Sequence, residues 1–336
     1  MNIEPFTLPL ATPLATAAGD IDERRGFLVT VQAPASGLGE ACPLAGWTES
    51  LSACRRALEE LPDAPDPDGL DSLPPAARHG VVLALLDAAA SEAGRPLYQH
   101  LGRDERVASV PVNATVGDGA PAKTAEQVGV AVADGFETVK LKIGARSLRA
   151  DLERVRTVRD RHPDVRLRLD ANGAWDRETA TEAFDALASL DVAYVEQPLA
   201  AEDLAGHATL RDGPVGVAID EGLYEHDLET VLTTGAADAV VLKPMAMGGP
   251  DVALEAAVLA RDAGVDPVVT TTVDGPLARA AAVHVAAALP DVAPCGLATG
   301  DRVAGTRHDP APVVEGRARV PQQEGNAPAT SPADYA

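Results

Sequence analysis

From Ser109 onward, short runs rich in β-branched residues recur every 22 to 30 residues: Val110–Thr115, Thr138–Ile143, Val165–Asp170, Ala193–Gln197, Val215–Asp220, Ala239–Lys243, Val268–Thr272 and Ala293–Leu297. The stretches between them carry helical periodicity, as in Leu152, Val155 and Val158. Strands that alternate with helices run parallel, because each crossover consumes a helix. Eight is the number that closes a barrel, and about 190 residues is a compact size for one. An open doubly wound sheet is the alternative topology. The repeat is structural, not one of sequence.

The first hundred residues do not share this texture. Residues 3–10 and 26–33 read as strands, and 48–60 and 75–93 as helices. The second helix starts after Pro74-Pro75, runs through Val81, Val82, Leu85, Leu86 and Ala89 on one face, and ends at Gly94-Arg95-Pro96. Residues 14–25 are small and polar and read as a loop that can move. The expected division is an α+β domain over 1–105, a barrel over 106–300, and a segment over 301–336 that returns to the first domain and ends in a flexible tail.

The chain has 336 residues with a formal net charge of −23. That charge repels nucleic-acid phosphate and anionic lipid, so neither nucleic acid nor membrane is expected as a partner. An acidic, lysine-poor surface suits a high-salt cytoplasm, and a halophilic source is expected. Three cysteines without a C-x-x-C predict reduced thiols. The start MNIEPFTLPL has neither a basic n-region nor an apolar h-region, and no uncharged apolar run reaches membrane-spanning length; a cytoplasmic protein is expected.

In a barrel the active site lies at the C-terminal strand ends. Here the second run ends in Lys140-Leu141-Lys142, the third in Asp170-Ala171-Asn172-Gly173, the fourth in Glu196-Gln197-Pro198, the fifth in Asp220-Glu221 and the sixth in Lys243-Pro244. Lys140 and Lys142 are two apart and share a face, while Val139, Leu141 and Ile143 face the helices. Strands two and six lie roughly opposite across the mouth. Three carboxylates converging there would repel unless a cation held them. Oxygen ligation without a His or Cys cluster selects a hard ion, Mg2+ or Mn2+. Such an ion stabilises charge developing on a substrate carboxylate, and a neighbouring lysine can serve as a base. The expected chemistry is metal-assisted proton abstraction α to a carboxylate. The chain has 28 basic residues, of which Lys123, Lys140, Lys142 and Lys243 are the lysines. Three of those four stand at the strand ends, where a purely structural cation could have been Arg; a titratable amine is what Arg cannot supply.

These motifs closely resemble the enolase superfamily in its muconate-lactonizing-enzyme subgroup: K-x-K at Lys140–Lys142, D-A-N at Asp170–Asn172, E-Q-P at Glu196–Pro198, D-E at Asp220–Glu221 and the Lys of Val-Leu-Lys-Pro. The N-terminal part, with Arg78-His79-Gly80 and Gly94-Arg95-Pro96-Leu97-Tyr98, resembles that family's capping domain. The resemblance implies an α/β fold, a modified (β/α)7β TIM-type barrel with an N-terminal α+β cap. It implies that Asp170, Glu196 and Asp220 bind Mg2+, that Lys142 and Lys243 form an acid/base pair on opposite faces of the substrate, and that Lys140 tunes Lys142. Asn172 and Glu221 would support them from behind.

Function varies on this scaffold, so the family does not settle the substrate. The segment from Gly37 to Ser50 (G-L-G-E-A-C-P-L-A-G-W-T-E-S) and the end Thr270-Thr271-Thr272-Val273-Asp274 resemble stretches of the o-succinylbenzoate synthases, departing at Gly275-Pro276. Dipeptide epimerases of the subgroup usually carry a D-x-D near strand eight, where Pro294 to Asp301 here has none. The implied reaction is dehydration of 2-succinyl-6-hydroxy-2,4-cyclohexadiene-1-carboxylate to 2-succinylbenzoate in menaquinone biosynthesis, on a small-molecule carboxylate substrate. Residues 15–25 would close over the succinyl arm, with Arg24 or Arg25 pairing its carboxylate, and Thr271 and Thr272 would also bind the substrate. An N-acylamino acid racemase, a dipeptide epimerase, a cycloisomerase, or a non-catalytic binding barrel are the alternatives. The sequence leaves room for a homo-oligomer.

Overall fold

The strand–helix period folds into a ring. The structure, a computed structural model, describes residues 1–16, 19–32, 35–65, 67–304 and 309–327. The N-terminal elements are β1 (Asn2–Thr16), β2 (Gly19–Val31), β3 (Gly37–Ala41), α1 (Leu51–Glu59), α2 (Pro75–Glu92) and α3 (Leu97–His100). Then come β4 (Ser109–Pro111), β5 (Ala114–Val116), α4 (Pro121–Ala133), β6 (Thr138–Lys142), α5 (Leu148–Arg161), β7 (Arg166–Asp170), α6 (Arg177–Leu187), β8 (Val192–Glu196) and α7 (Leu204–Arg211). The rest are β9 (Gly216–Ile219), α8 (Gly222–Glu225), α9 (Leu228–Thr234), β10 (Ala239–Leu242), α10 (Pro244–Met247), α11 (Pro250–Asp262), β11 (Asp266–Val269), α12 (Pro276–Ala288), β12 (Val313–Val314) and β13 (Arg317–Arg319).

Strands β5 to β11 form one sheet in chain order, and every neighbouring pair is parallel. The run Ala293–Leu297 forms no strand. Pro294 has no N–H to give to a ladder, and the run contributes two bridges instead, Cys295 to Val112 and Gly296 to Thr270. Asn113 N–H donates to Cys295 O at 2.9 Å and Gly296 N–H to Val269 O at 2.9 Å. These bonds join the end of β11 to the segment before β5 and close a modified (β/α)7β barrel. The first run splits at Pro111: β4 leaves the barrel to pair with β13, and β5 stays. Outward-facing Val139, Leu141, Leu167, Leu169, Val195, Val217, Val240 and Leu242 meet the helices in one apolar core.

The N-terminal part is an antiparallel sheet, β1-β2-β3, packed on α2. Of the loop expected over 14–25, residues 14–16 and 19–25 are instead strands of a hairpin, with Leu14 opposite Ile21 and Leu8 opposite Arg24, while residues 17 and 18 lie outside the described residues. Antiparallel pairing is a backbone property. The outer ribbon is largely exposed and covers no core, so its side chains carry no apolar alternation for sequence reading to find. α1 begins where Ser50 Oγ accepts from Ala53 N–H at 3.2 Å, and α2 begins with Pro75 in its first turn. β3 lies so close to α2 that a Cβ on Gly39 would stand 1.9 Å from Gly80 O.

Glu40 and Arg78 dock this sheet and helix on the barrel. Glu40 Oε1 accepts from Gly275 N–H at 2.7 Å and Oε2 from Ala278 N–H at 3.1 Å, capping the N-terminus of α12. Arg78 donates to Gly248 O at 3.1 Å and to both oxygens of Asp251. The C-terminal segment also returns to the N-terminal elements: Val303 bridges Leu10, and Leu97 N–H donates to Gly325 O at 2.8 Å. The expected tail beyond residue 327 lies outside the described residues. Cys42, Cys54 and Cys295 are free and buried. Among the described residues, no helix is long and apolar enough to cross a membrane.

Candidate active site

Parallel register brings the strand ends together. Lys142, Asp170 and Glu196 stand side by side on β6, β7 and β8. Asp220 directly follows β9, and Lys243 directly follows β10. One layer deeper, Lys140, Arg168, Tyr194 and Gly216 form the next row. Pleating explains the grouping: residues two apart on a strand point the same way, here into the barrel.

Three lysine amines organise the carboxylates. Lys140 Nζ donates to Asp170 Oδ2 at 2.9 Å and to Glu196 Oε1 and Oε2 at 2.9 and 3.1 Å. Lys243 Nζ donates to Asp220 Oδ2 at 2.7 Å and lies 3.2 Å from the Trp47 ring centroid, a cation–π contact from the N-terminal elements. Lys142 Nζ donates to Asp170 Oδ2 at 2.7 Å and to Asn172 Oδ1 at 2.8 Å. Asn172 Nδ2 in turn donates to Glu221 Oε1 at 2.9 Å. The side chain of Lys142 is 38% exposed and that of Lys243 only 11%. The fourth lysine, Lys123, is exposed on α4 and pairs with Glu126.

Burial and neighbouring charge set the proton affinities. Burial opposes charge on Lys140, but Glu196 and Asp170 outweigh it and hold the amine well above its ordinary range. Burial likewise opposes charge on Asp170, and Lys140 and Lys142 outweigh it and hold the carboxyl low. For Glu196 burial and the Asp170 charge win over Lys140, pushing it up. Burial pushes Asp220 up as well, against Lys243.

The sequence predicted three carboxylates converging at metal-bond spacing. Among the described residues no three His, Cys, Asp or Glu side chains are so grouped. Lys140 stands between Asp170 and Glu196, and Lys243 holds Asp220, so each carboxylate turns to an ammonium rather than to the others. The donor chemistry nonetheless fits a hard divalent cation: three buried carboxylates on successive strand ends, oxygen donors only, with Glu196 raised first by burial and then by the negative charge of Asp170.

Four further expected site residues are engaged elsewhere. Arg24 is buried and donates to Val273 O, Pro43 O and Cys42 O at 3.2, 3.1 and 2.8 Å, so it is spent on backbone carbonyls, not free for a substrate. Arg25 points away on the exposed face and pairs with Glu23. Thr271 Oγ1 accepts from Val273 N–H and shares a hydrogen bond with Thr299 Oγ1, while Thr272 Oγ1 donates to Asp274. Both threonines brace a turn in which Val273 adopts φ +60°, a costly conformation for a β-branched residue.

Sequence reading missed two neighbours of the site. Trp47 lies in the segment from Gly37 to Ser50, and no motif there assigns it a role; it is one of two tryptophans, and an aromatic amid so few was the available signal. Gln197, at φ +41°, is fully buried. Its Oε1 accepts from Asp220 N–H and Gly222 N–H, both at 3.0 Å, and its Nε2 donates to Leu199 O at 3.0 Å. It thereby ties the end of β8 to the end of β9, a role with no local sequence signature.

The chain matches the family described as enolase C-terminal domain-like over residues 123–327. It is 39% identical over 196 residues to an o-succinylbenzoate synthase of Thermobifida fusca, a match covering 57% of this chain and 60% of that one. The chain thus spans less than two thirds of that relative. A substrate-liganded L-Ala-D/L-Glu epimerase from Bacillus subtilis superposes with a TM-score of 0.86 at 26% identity over 97% of each chain. A dipeptide epimerase from Enterococcus faecalis, complexed with Mg and the dipeptide L-Leu-L-Tyr, superposes with a TM-score of 0.85 at 25% identity, over 97% of this chain and 98% of that one.

Proposed function

Because the chain belongs to the enolase superfamily, we propose that it is an Mg2+-dependent o-succinylbenzoate synthase, a hydro-lyase. The observation that carries the reading is the row of strand-end groups, with an accessible lysine on one side of three buried carboxylates and an enclosed lysine on the other. The identity to synthase relatives and the segment from Gly37 to Ser50 favour this member of the family.

In this reading Asp170, Glu196 and Asp220 hold Mg2+, which supplies charge stabilisation for the substrate carboxylate. Lys142 Nζ takes the proton α to that carboxylate. The electron pair left on carbon expels the 6-hydroxyl, and the proton on Lys142 leaves with it as water, from the same face. The ring becomes 2-succinylbenzoate. Asp170 and Asn172 fix Lys142 Nζ for both transfers. Lys243, pinned between Asp220 and Trp47, presents positive charge to the opposite face without needing to exchange a proton.

Purified protein given the cyclohexadiene, Mg2+ and multimolar KCl should show the ultraviolet absorbance of the aromatic product. No absorbance change refutes the synthase reading. The full-length likeness to two epimerases supports a second reading, two-base epimerisation or racemisation. It predicts exchange of an amino-acid α-proton for solvent deuterium without dehydration.

A further inference from the structure

The turn that follows Lys142 is held by a buried ion pair, and we infer that this pair, Arg154 and Asp151 on α5, is a positioning device for Lys142. The inference rests on the reading of Lys142 as the base. Lys142 is the last residue of β6, and the chain then reverses through Gly144 at φ +88°. Three main-chain groups in succession are clamped there. Lys142 O accepts from Arg154 Nη1 at 2.9 Å, Ile143 N–H donates to Asp170 O at 2.8 Å, and Gly144 N–H donates to Asp151 Oδ2 at 2.8 Å. The two side chains are joined to each other, Arg154 Nη1 to Asp151 Oδ1 at 2.9 Å.

Arg154 also donates to Thr124 Oγ1 at 3.2 Å and to Gly117 O at 2.9 Å, beyond the end of β5. One guanidinium therefore fixes the ends of two adjacent strands and the first turn of α4. Both side chains are essentially inaccessible, at 1% and 3%. Elsewhere α5 buries Leu152, Val155 and Val158 in the apolar core, so an apolar contact was available to the same helix face. A buried pair is weak as a source of stability, and apolar residues commonly replace one without loss. What an apolar pair lacks is direction: five donors in a fixed fork orient the carbonyl of Lys142, and with it the bond from which its side chain leaves. A displacement of about 1 Å at a reacting group costs roughly 100-fold in rate.

Lys142-Ile143 is the one Lys-Ile step in the chain, so [1-13C]Lys with [15N]Ile labelling gives a single carbonyl–amide resonance, at the clamped peptide. The variants are Arg154→Lys and the double variant Arg154→Met with Asp151→Leu, whose apolar pair keeps the core filled. Both should move the Lys142 carbonyl resonance and lower kcat for dehydration by about 100-fold, with KM and calorimetric Mg2+ affinity within about twofold of the parent. A folded double variant with parental kcat overturns the inference, as does an unmoved carbonyl, or a loss spread equally over kcat, KM and Mg2+ affinity. A parent inactive on the cyclohexadiene refutes the synthase reading alone; the carbonyl resonance then still decides whether the clamp exists.

Discussion

Replacing Lys140 by Met removes the cation that bridges Asp170 and Glu196. Asp170 keeps Lys142, but among the described residues both hydrogen bonds of the Glu196 carboxylate are to Lys140, and Glu196 is 2% exposed. Breaking a buried pair by deleting one partner costs about 3–5 kcal/mol. At about 2 °C per kcal/mol for a chain this long, the melting temperature in EDTA should fall by about 6–10 °C. Two side effects identify the cause. Below neutral pH the deficit should shrink, because Glu196 without Lys140 takes a proton and ceases to be a buried charge. Mg2+ should also raise the melting temperature more in Lys140→Met than in the parent, because the ion replaces the lost charge; at about 100-fold over Kd that linkage is worth about 2.7 kcal/mol. Thermal unfolding by circular dichroism, with and without Mg2+, measures all three. A variant that melts within about 1 °C of the parent in EDTA, or gains no more from Mg2+ than the parent does, refutes the argument that Lys140 neutralises this cluster.

His284 is buried with Nε2 bonded to Asn326 O at 2.6 Å and Nδ1 accepting from Tyr98 N–H, and burial lowers it to about 4. It is neutral in the fold, so its stabilisation is complete above the ordinary histidine range near 6.5 and is lost as pH falls towards 4; at 1.36 kcal/mol per unit the loss reaches about 3 kcal/mol. Urea unfolding between pH 7 and 4.5 should show that slope, and His284→Gln should flatten it. Glu40→Gln should cost about 1–2 kcal/mol in the same assay, because it weakens the charged cap on α12. Asp220→Asn should weaken Mg2+ binding by roughly tenfold or more, read by calorimetry, because one carboxylate charge is lost from the site.

The barrel and the charged row were legible for one reason. Parallel β/α units repeat at a fixed spacing, and they put strand ends, which are also sequence landmarks, at one rim; Lys140, Lys142, Asp170, Glu196, Asp220 and Lys243 could be read off as ends of consecutive runs. What was not legible depends on backbone pairing that leaves no side-chain pattern, or on contacts between separate segments. The hairpin strands over residues 14–16 and 19–25 pair by backbone, without an apolar stripe. Arg24 looks like a loop cation until three carbonyls from two other segments surround it. Trp47 reaches Lys243 across 196 positions of sequence, and Arg154 reaches Lys142 from the far side of a turn. The spacing of the carboxylates also escaped sequence reading, since the lysines that stand between them come from the row beneath and from the next strand.

In the proposed reaction the amine of Lys142 moves the proton. Product formation from the cyclohexadiene by Lys142→Arg, beside the parent under the same Mg2+ and salt, tests it most directly, since arginine keeps the charge but cannot give up its proton at working pH. The expected result is an unchanged melting temperature, retained Mg2+ binding and no turnover above background. Near-parental turnover by Lys142→Arg would contradict it.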